Sequence, residues 1–165
     1  MNQVNIQRFQ QTVNAIENNH TLGKTPVRVR LHWTGGVKNQ LDVQKFPAFY
    51  TDEPEPLGGT FAAPNPVEYL VSAAAACFAT GFAWQTAQVG VALESLEIAA
   101  SARIDIAKLF GMEQGYGGLD QLVLKVRAKA DADLAALQTF AQRSQAGSPV
   151  LNSLKTAATV EVEKI

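Results

Sequence analysis

The chain has one cysteine, Cys77, in 165 residues. No disulfide can close within it, which excludes a secreted disulfide framework. Histidine is nearly as scarce. His20 and His32 lack partners at metal-ligand spacing, so no zinc site and no cofactor are expected. Charge of one sign is also missing: fourteen Lys and Arg face fifteen Asp and Glu, a net of −1, with no basic block or acidic tail. A nucleic-acid binder would show a basic stripe, so that class of partner is not expected. Long hydrophobic runs are absent. The longest apolar stretch, residues 69–84, is broken by Ser72, Thr80 and Gly81 and is shorter than the ~20 residues of a membrane span. The opening Met1-Asn2-Gln3-Val4-Asn5 is polar and lacks the charged head and apolar core of a signal peptide. A cytoplasmic protein with no membrane partner is the expectation.

What is present can build a core. Apolar residues make up 47% and charged residues 18%, enough apolar surface to offset ordering entropy. The length fits one domain, residues 1–165, with 1–24 as a helical N-terminal extension and 25–165 as the core. Ile6, Phe9, Val13 and Ile16 mark one face of a helix over residues 4–18. Val27, Val29, Leu31 and Trp33 then alternate with Arg28, Arg30, His32 and Thr34, predicting a half-buried strand with a basic outer face. Gly35-Gly36 is a turn, and Leu41, Val43 and Phe46 mark a returning strand. Residues 47–65 are rich in turn formers and read as a loop.

Asn65-Pro66 is a helix start, and the helix should run to about residue 88. Residues 70–79 are apolar on nearly all sides, so burial all round is expected. Ala73 to Ala76 and Ala79 would let neighbouring elements come close. A chain of this size has difficulty enclosing a helix, and a partner subunit is a reasonable source of cover. Leu96, Ile98, Ala102, Ile104 and Ile106 alternate in a long strand, and Leu122, Leu124, Val126 and Ala128 in another. Asp131 or Asp133 can cap a helix carrying Leu134, Leu137, Phe140 and Ala141. Gly147-Ser148-Pro149 ends it and starts a short one, with Val160, Val162 and Ile165 in a last strand. Strand pairs separated by helices predict an α+β fold with antiparallel sheets and a buried central helix.

Four stretches are similar to the OsmC/Ohr superfamily of osmotically inducible proteins and organic hydroperoxide reductases. They are Asp52-Glu53-Pro54, Leu57-Gly58-Gly59, Pro64-Asn65-Pro66-Val67-Glu68-Tyr69-Leu70 and Ala75-Ala76-Cys77-Phe78, joined by Ser148-Pro149-Val150. The likeness runs from about Val27 to the C-terminus. It implies an intertwined homodimer with buried central helices and two sites at the subunit interface. It also implies thiol-based peroxidase chemistry, in which a thiolate becomes a sulfenic acid and a second thiol closes a disulfide.

Cys77 matches the attacking cysteine. The resolving cysteine's position holds Ser148, so an external thiol reductant would have to act instead. In the hydroperoxide reductase branch an arginine follows the Gly-Gly turn, where this chain has Val37 and then Lys38, and an acid follows the helix-start proline, where it has Val67. Glu68 matches the acid of the wider OsmC-like group. Nine residues at about 100° each put it about 180° from Cys77 on a straight helix. It can equally serve as a first-turn carboxylate favoured by the helix dipole. Leu70, Ala73, Ala74, Gly81 and Trp84 fall near the face of Cys77, so a pocket there should be apolar. Arg28 or Arg30 could reach a thiolate across an interface, or simply line a solvated strand face. Two functions follow as expectations. One is a one-cysteine peroxidase acting on organic hydroperoxides, with Cys77 and Glu68 catalytic and Leu70, Ala74, Trp84 and Ser148 binding. The other is a non-catalytic dimer that binds an apolar small molecule or lipid at the interface; a weaker third option is a stress-associated scaffold without a ligand.

Overall fold

The computed structural model describes residues 3–165; Met1 and Asn2, part of the polar opening above, lie outside them. The chain forms two compact units, one of Gln7–Leu70 and one of Val71–Ile165 with the residues up to Ile6.

The Gln7–Leu70 unit holds α1 (Ile6–Asn18, from its second residue on) and a three-stranded sheet of β1 (Arg30–Gly35), β2 (Lys38–Asp42) and β3 (Phe49–Thr51), in that order. Gly35 and Gly36 both take positive φ at the β1–β2 hairpin, which glycine adopts without a Cβ clash. Both strand pairs are antiparallel. β1 starts at Arg30, not Val27, and the expected burial of its apolar face is not met. Val27 is 90% exposed and Trp33 70% exposed, and Val29 and Leu31 also face solvent. Alternation tells which side chains share a face, not what covers it. β3 falls inside the stretch read as a loop, because three residues are too few for a period to register. Val43 and Phe46 lie beyond the end of β2.

Asp52 organises the chain after β3. It is 1% exposed. Its carboxylate accepts from Glu53 N, Thr60 N, Thr60 Oγ1 and Ala62 N at 2.8–3.1 Å. Those bonds pin a loop in which Gly59 passes so close to Glu53 that a Cβ would sit 1.8 Å from its carbonyl oxygen.

α2 (Pro66–Gln88) begins with a reciprocal cap. Asn65 Oδ1 accepts from Glu68 N, and Glu68 Oε2 accepts from Asn65 N, each at 2.8 Å. Ala74, Phe78, Phe82 and Thr86, four residues apart, are its buried face. Its other side, with Leu70, Ala73, Ala76, Thr80 and Trp84, is exposed, so burial all round is not met within one chain. The sheet and helix that pack on α2 in the second unit lie against one side of it only. At 23 residues α2 is longer than its apolar run and, by length and composition alone, long and apolar enough to cross a membrane. The core helix of a globular domain passes the same test, and Phe78 and Phe82 are here in a sheet-and-helix core.

The second unit continues with β4 (Leu93–Arg103), the single turn α3 (Ile106–Leu109), β5 (Asp120–Ala130), α4 (Leu134–Gly147), α5 (Pro149–Asn152) and β6 (Thr159–Lys164). The sheet order is β4-β5-β6. Leu122, Leu124, Val126, Ala128 and Ala130 alternate inward along β5 and meet Phe78, Phe82, Leu137 and Phe140. Phe82 is the hub: its ring lies 6.2 Å from Phe78 and 6.2 Å, edge-on, from Phe140. The opposite face of the sheet carries charge ladders, Lys129 to Glu94 at 2.7 Å and Arg127 to Glu97 and Glu163.

Two sequence expectations are corrected here. β5 and β6 run parallel, not antiparallel, because α4 and α5 return the chain to the end where β5 began. Ile104 lies past the end of β4, and Ile106 belongs to α3 and not to that strand. Asp105 accepts from Ala107 N and Lys108 N, capping a helical turn where the alternation alone would continue the strand.

Candidate active site

α2 and α4 come close at Gly81. A Cβ there would lie 3.3 Å from both Cα and Cβ of Ser144, tighter than most side chains tolerate. A residue with no side chain lets the two helices converge, and a cavity opens beside the convergence. It measures about 240 Å³ and is lined mainly by apolar surface. Cys77, Thr80, Gly81, Trp84 and Gln85 come from α2, and Arg143, Ser144 and Gly147 from α4. Ser148 and Pro149 close it at the start of α5.

Most polar groups in this cavity are committed to the fold. Thr80 Oγ1 donates to Ala76 O at 3.0 Å, and Ser144 Oγ donates to Phe140 O at 2.6 Å. Ser148, 2% exposed, accepts from Leu151 N and so caps α5. Three groups are uncommitted. Among the described residues the Cys77 sulfur, the Gln85 amide and the Arg143 guanidinium have no hydrogen bond or ion pair. Cys77 is half-buried, so its sulfur is reachable from the cavity. Among the described residues no carboxylate lines the wall, and its one charged group, Arg143, is exposed.

Cys77, Trp84 and Ser148 of the sequence-based set are thus brought together on one cavity. Ala74 is not among them: it is in the core, fully buried. Leu70 and Glu68 lie in the opening turns of α2, and neither lines this cavity. The Glu68 carboxylate closes the cap with Asn65. Arg28 and Arg30 are exposed and also off the cavity. Lys38, next but one after the Gly-Gly turn, lies 4.0 Å from Asp52. Arg143 and Gln85 were missed by sequence reasoning. A signal for Arg143 was there: it sits one helical turn before Gly147, the residue that leads into Ser148.

Asp52 is the strongly perturbed ionisable group. Burial would raise its pKa, but hydrogen bonds from Ala62, Thr60 and Glu53 outweigh this and hold it at about 2. With its oxygens already satisfied, it is a structural carboxylate.

Comparison with known proteins locates this arrangement. The model of the OsmC-like protein family matches residues 58–163. No curated protein matches the chain. Among solved structures, an OsmC-like protein from Mycoplasma pneumoniae aligns over 86% of this chain and 99% of its own, at 15% identity and a TM-score of 0.74. An organic hydroperoxide resistance protein from Legionella pneumophila aligns over 84% and 97%, at 15% identity and a TM-score of 0.64. One from Elizabethkingia anophelis aligns over 86% and 98%, at 16% identity and a TM-score of 0.65. At these identities the likeness to solved structures speaks for the fold.

Proposed function

The chain belongs to the OsmC-like protein family, which includes organic hydroperoxide resistance proteins, and we propose that it reduces organic hydroperoxides with Cys77 and an external thiol. The observation that carries this is the cavity: a reachable thiol, mainly apolar walls, and an unpaired arginine with no carboxylate beside it. A free cysteine, with a pKa of about 8.5, needs a nearby cation to be ionised at neutral pH. Arg143, an exposed residue, is the cation on the same wall. The apolar surface suits the organic part of the peroxide.

The chemistry balances with two co-reactants. The Cys77 thiolate attacks the terminal oxygen of ROOH. An S–O bond forms, the O–O bond breaks, and the alkoxide takes a proton to leave as the alcohol. Sulfur is oxidised by two electrons and the peroxide reduced by two. An external thiol then attacks the sulfenic sulfur, forming a mixed disulfide and releasing water. A second thiol frees Cys77 and leaves as the disulfide. Ser148 cannot take the resolving part. Its oxygen forms no disulfide, and it already caps α5.

A homodimer belongs to the same proposal. The exposed apolar face of β1 and the open side of α2 are surfaces that a second copy would cover. The alternative function, a binding protein for an apolar small molecule, draws on the same apolar walls and needs no chemistry at the thiol. Turnover separates the two. Thiol-dependent consumption of an organic hydroperoxide, abolished in Cys77→Ser, supports the peroxidase. No consumption, with an apolar ligand bound equally by wild type and Cys77→Ser, supports the binder.

A further inference from the structure

We propose that the open edge of β6, beside α4, takes up an extended peptide of a partner protein as a fourth strand, and that it selects segments with Lys or Arg at alternating positions. The surface lies wholly in the Val71–Ile165 unit, and the inference is independent of the thiol chemistry.

Among the described residues β6 is the last strand of its sheet, paired with β5 on one side only. Ile165 N donates to Ala128 O on β5 at 3.0 Å. Backbone groups point to opposite sides at successive residues of a strand. Glu161 and Glu163 therefore also turn theirs toward β5, while Val160, Val162 and Lys164 turn theirs to the open side. Ala158, earlier in that second series, shows the direction: its carbonyl accepts from Gln145 Nε2 of α4 at 2.7 Å. Beyond Ala158 a mainly polar groove of about 470 Å³ lies between Val160 and Val162 on one side and Gln138, Gln142 and Gln145 on the other. The three glutamines, four and three residues apart, form one line along α4. Gln138 and Gln142 have no hydrogen bond among the described residues, and each amide offers both a donor and an acceptor to a main chain lying there. A row of unpaired backbone groups with a helix alongside is the geometry of strand addition.

Charge selects the occupant. Across the outer face of the sheet, acid and base alternate from strand to strand. Glu97 of β4, Arg127 of β5 and Glu163 of β6 form one row, joined at 3.4 and 3.3 Å. Lys125 and Glu161 form another, at 3.8 Å. Both rows end on an acid at the open edge, with 58% of the Glu161 and 66% of the Glu163 side chain exposed. A fourth strand continues both rows if its outward residues are basic and two apart. Its intervening residues then face the glutamines, which suits small polar side chains. A second copy fits this edge poorly. Its β6 or β4 would set Glu against Glu. Its β1, although basic at Arg28, Arg30 and His32, would lay Val29, Leu31 and Trp33 on the glutamine wall.

The full chain is titrated into a fluorescein-labelled peptide that alternates lysine with serine and threonine, and anisotropy is read. One control gathers the same lysines into a block, and another replaces them with glutamate. Two more are N-methylated at every second residue, one in each phase. The alternating peptide should bind best. N-methylation should abolish binding in one phase and spare it in the other, because an added strand pairs through every second residue. The double variant Glu161→Gln, Glu163→Gln should weaken binding about three- to tenfold, the scale of two exposed ion pairs, and added salt should erode the same preference. Gln142→Ala should weaken it by less. Absence of binding, or equal binding of the blocked peptide and both N-methylated forms, overturns strand addition. Affinity unchanged in the double variant overturns the charge selection. A further arm uses a peptide of residues 27–33 of this chain. Tighter binding of that peptide than of the alternating one gives the edge to a second copy and overturns the partner.

Discussion

Replacing Phe82 by alanine should separate the two faces of α2. Phe82 is fully buried between Phe78 and Phe140, each with ring centroids 6.2 Å away. A phenylalanine buries roughly 150–250 Å², about 4–6 kcal/mol at 25 cal/mol per Å². The alanine left behind recovers part of that, and Phe→Ala changes in cores cost about 3–5 kcal/mol. Against a total stability of about 5–15 kcal/mol that is a large share. For a chain of this length it lowers Tm by roughly 6–20 °C. Cys77→Ser, five residues earlier on the cavity side, removes a half-buried thiol and should cost no more than about 1 kcal/mol. Urea titration followed by circular dichroism measures both, and the midpoint should move in Phe82→Ala with little change in slope. Equal costs at the two positions, or a Phe82→Ala cost under about 1 kcal/mol, would refute the division of α2 into a core face and a reactive face.

Three further outcomes follow from the structure. Asp52 titrates at about 2 in the folded chain, below its ordinary 3.8, so its contribution to stability is present above 3.8 and is lost as pH falls through about 2. Acid unfolding of Asp52→Asn should lack that component, and a variant as steep as wild type across the interval would contradict the hydrogen-bonded carboxylate. Gly81→Ala gains about 1 kcal/mol of helix propensity but crowds the Ser144 backbone at 3.3 Å, and overpacking of about 1–3 kcal/mol should make the net effect destabilising. A net gain in the unfolding midpoint would mean that α2 and α4 have room there. Trp33→Glu places a charge on the exposed face of β1, and sedimentation should show a wild-type dimer weakened toward monomer. A wild type that sediments as a monomer would remove the second copy from the proposal.

The fold was legible where physics is local. Asn65-Pro66 and Glu68 marked the start of α2 because the cap is made by neighbours within one turn. β5 was visible because every second residue from Leu122 to Ala130 faces one core. Direction and cover are non-local and were not visible. Alternation in residues 160–165 is the same whether β6 runs with β5 or against it. The pattern of Val27, Val29, Leu31 and Trp33 promised a covering layer that the single chain does not supply. The site divided in the same way. Cys77 and Ser148 stood out by their place in motifs, whereas Arg143 joins them only through the approach of α4 to α2 at Gly81. Glu68 was ambiguous from its spacing, and its bond to Asn65 N shows where the carboxylate is engaged.

The most direct test of the central claim is the fate of the Cys77 sulfur on exposure to an organic hydroperoxide. The reduced protein is mixed with cumene hydroperoxide at neutral pH and trapped with a sulfenic-acid-selective nucleophile such as dimedone. Adduct at Cys77 is then quantified by mass spectrometry against time. The account predicts rapid adduct formation that slows in Arg143→Gln and is absent in Cys77→Ser. A thiol that stays unmodified, or that reacts no faster than free cysteine, would contradict it.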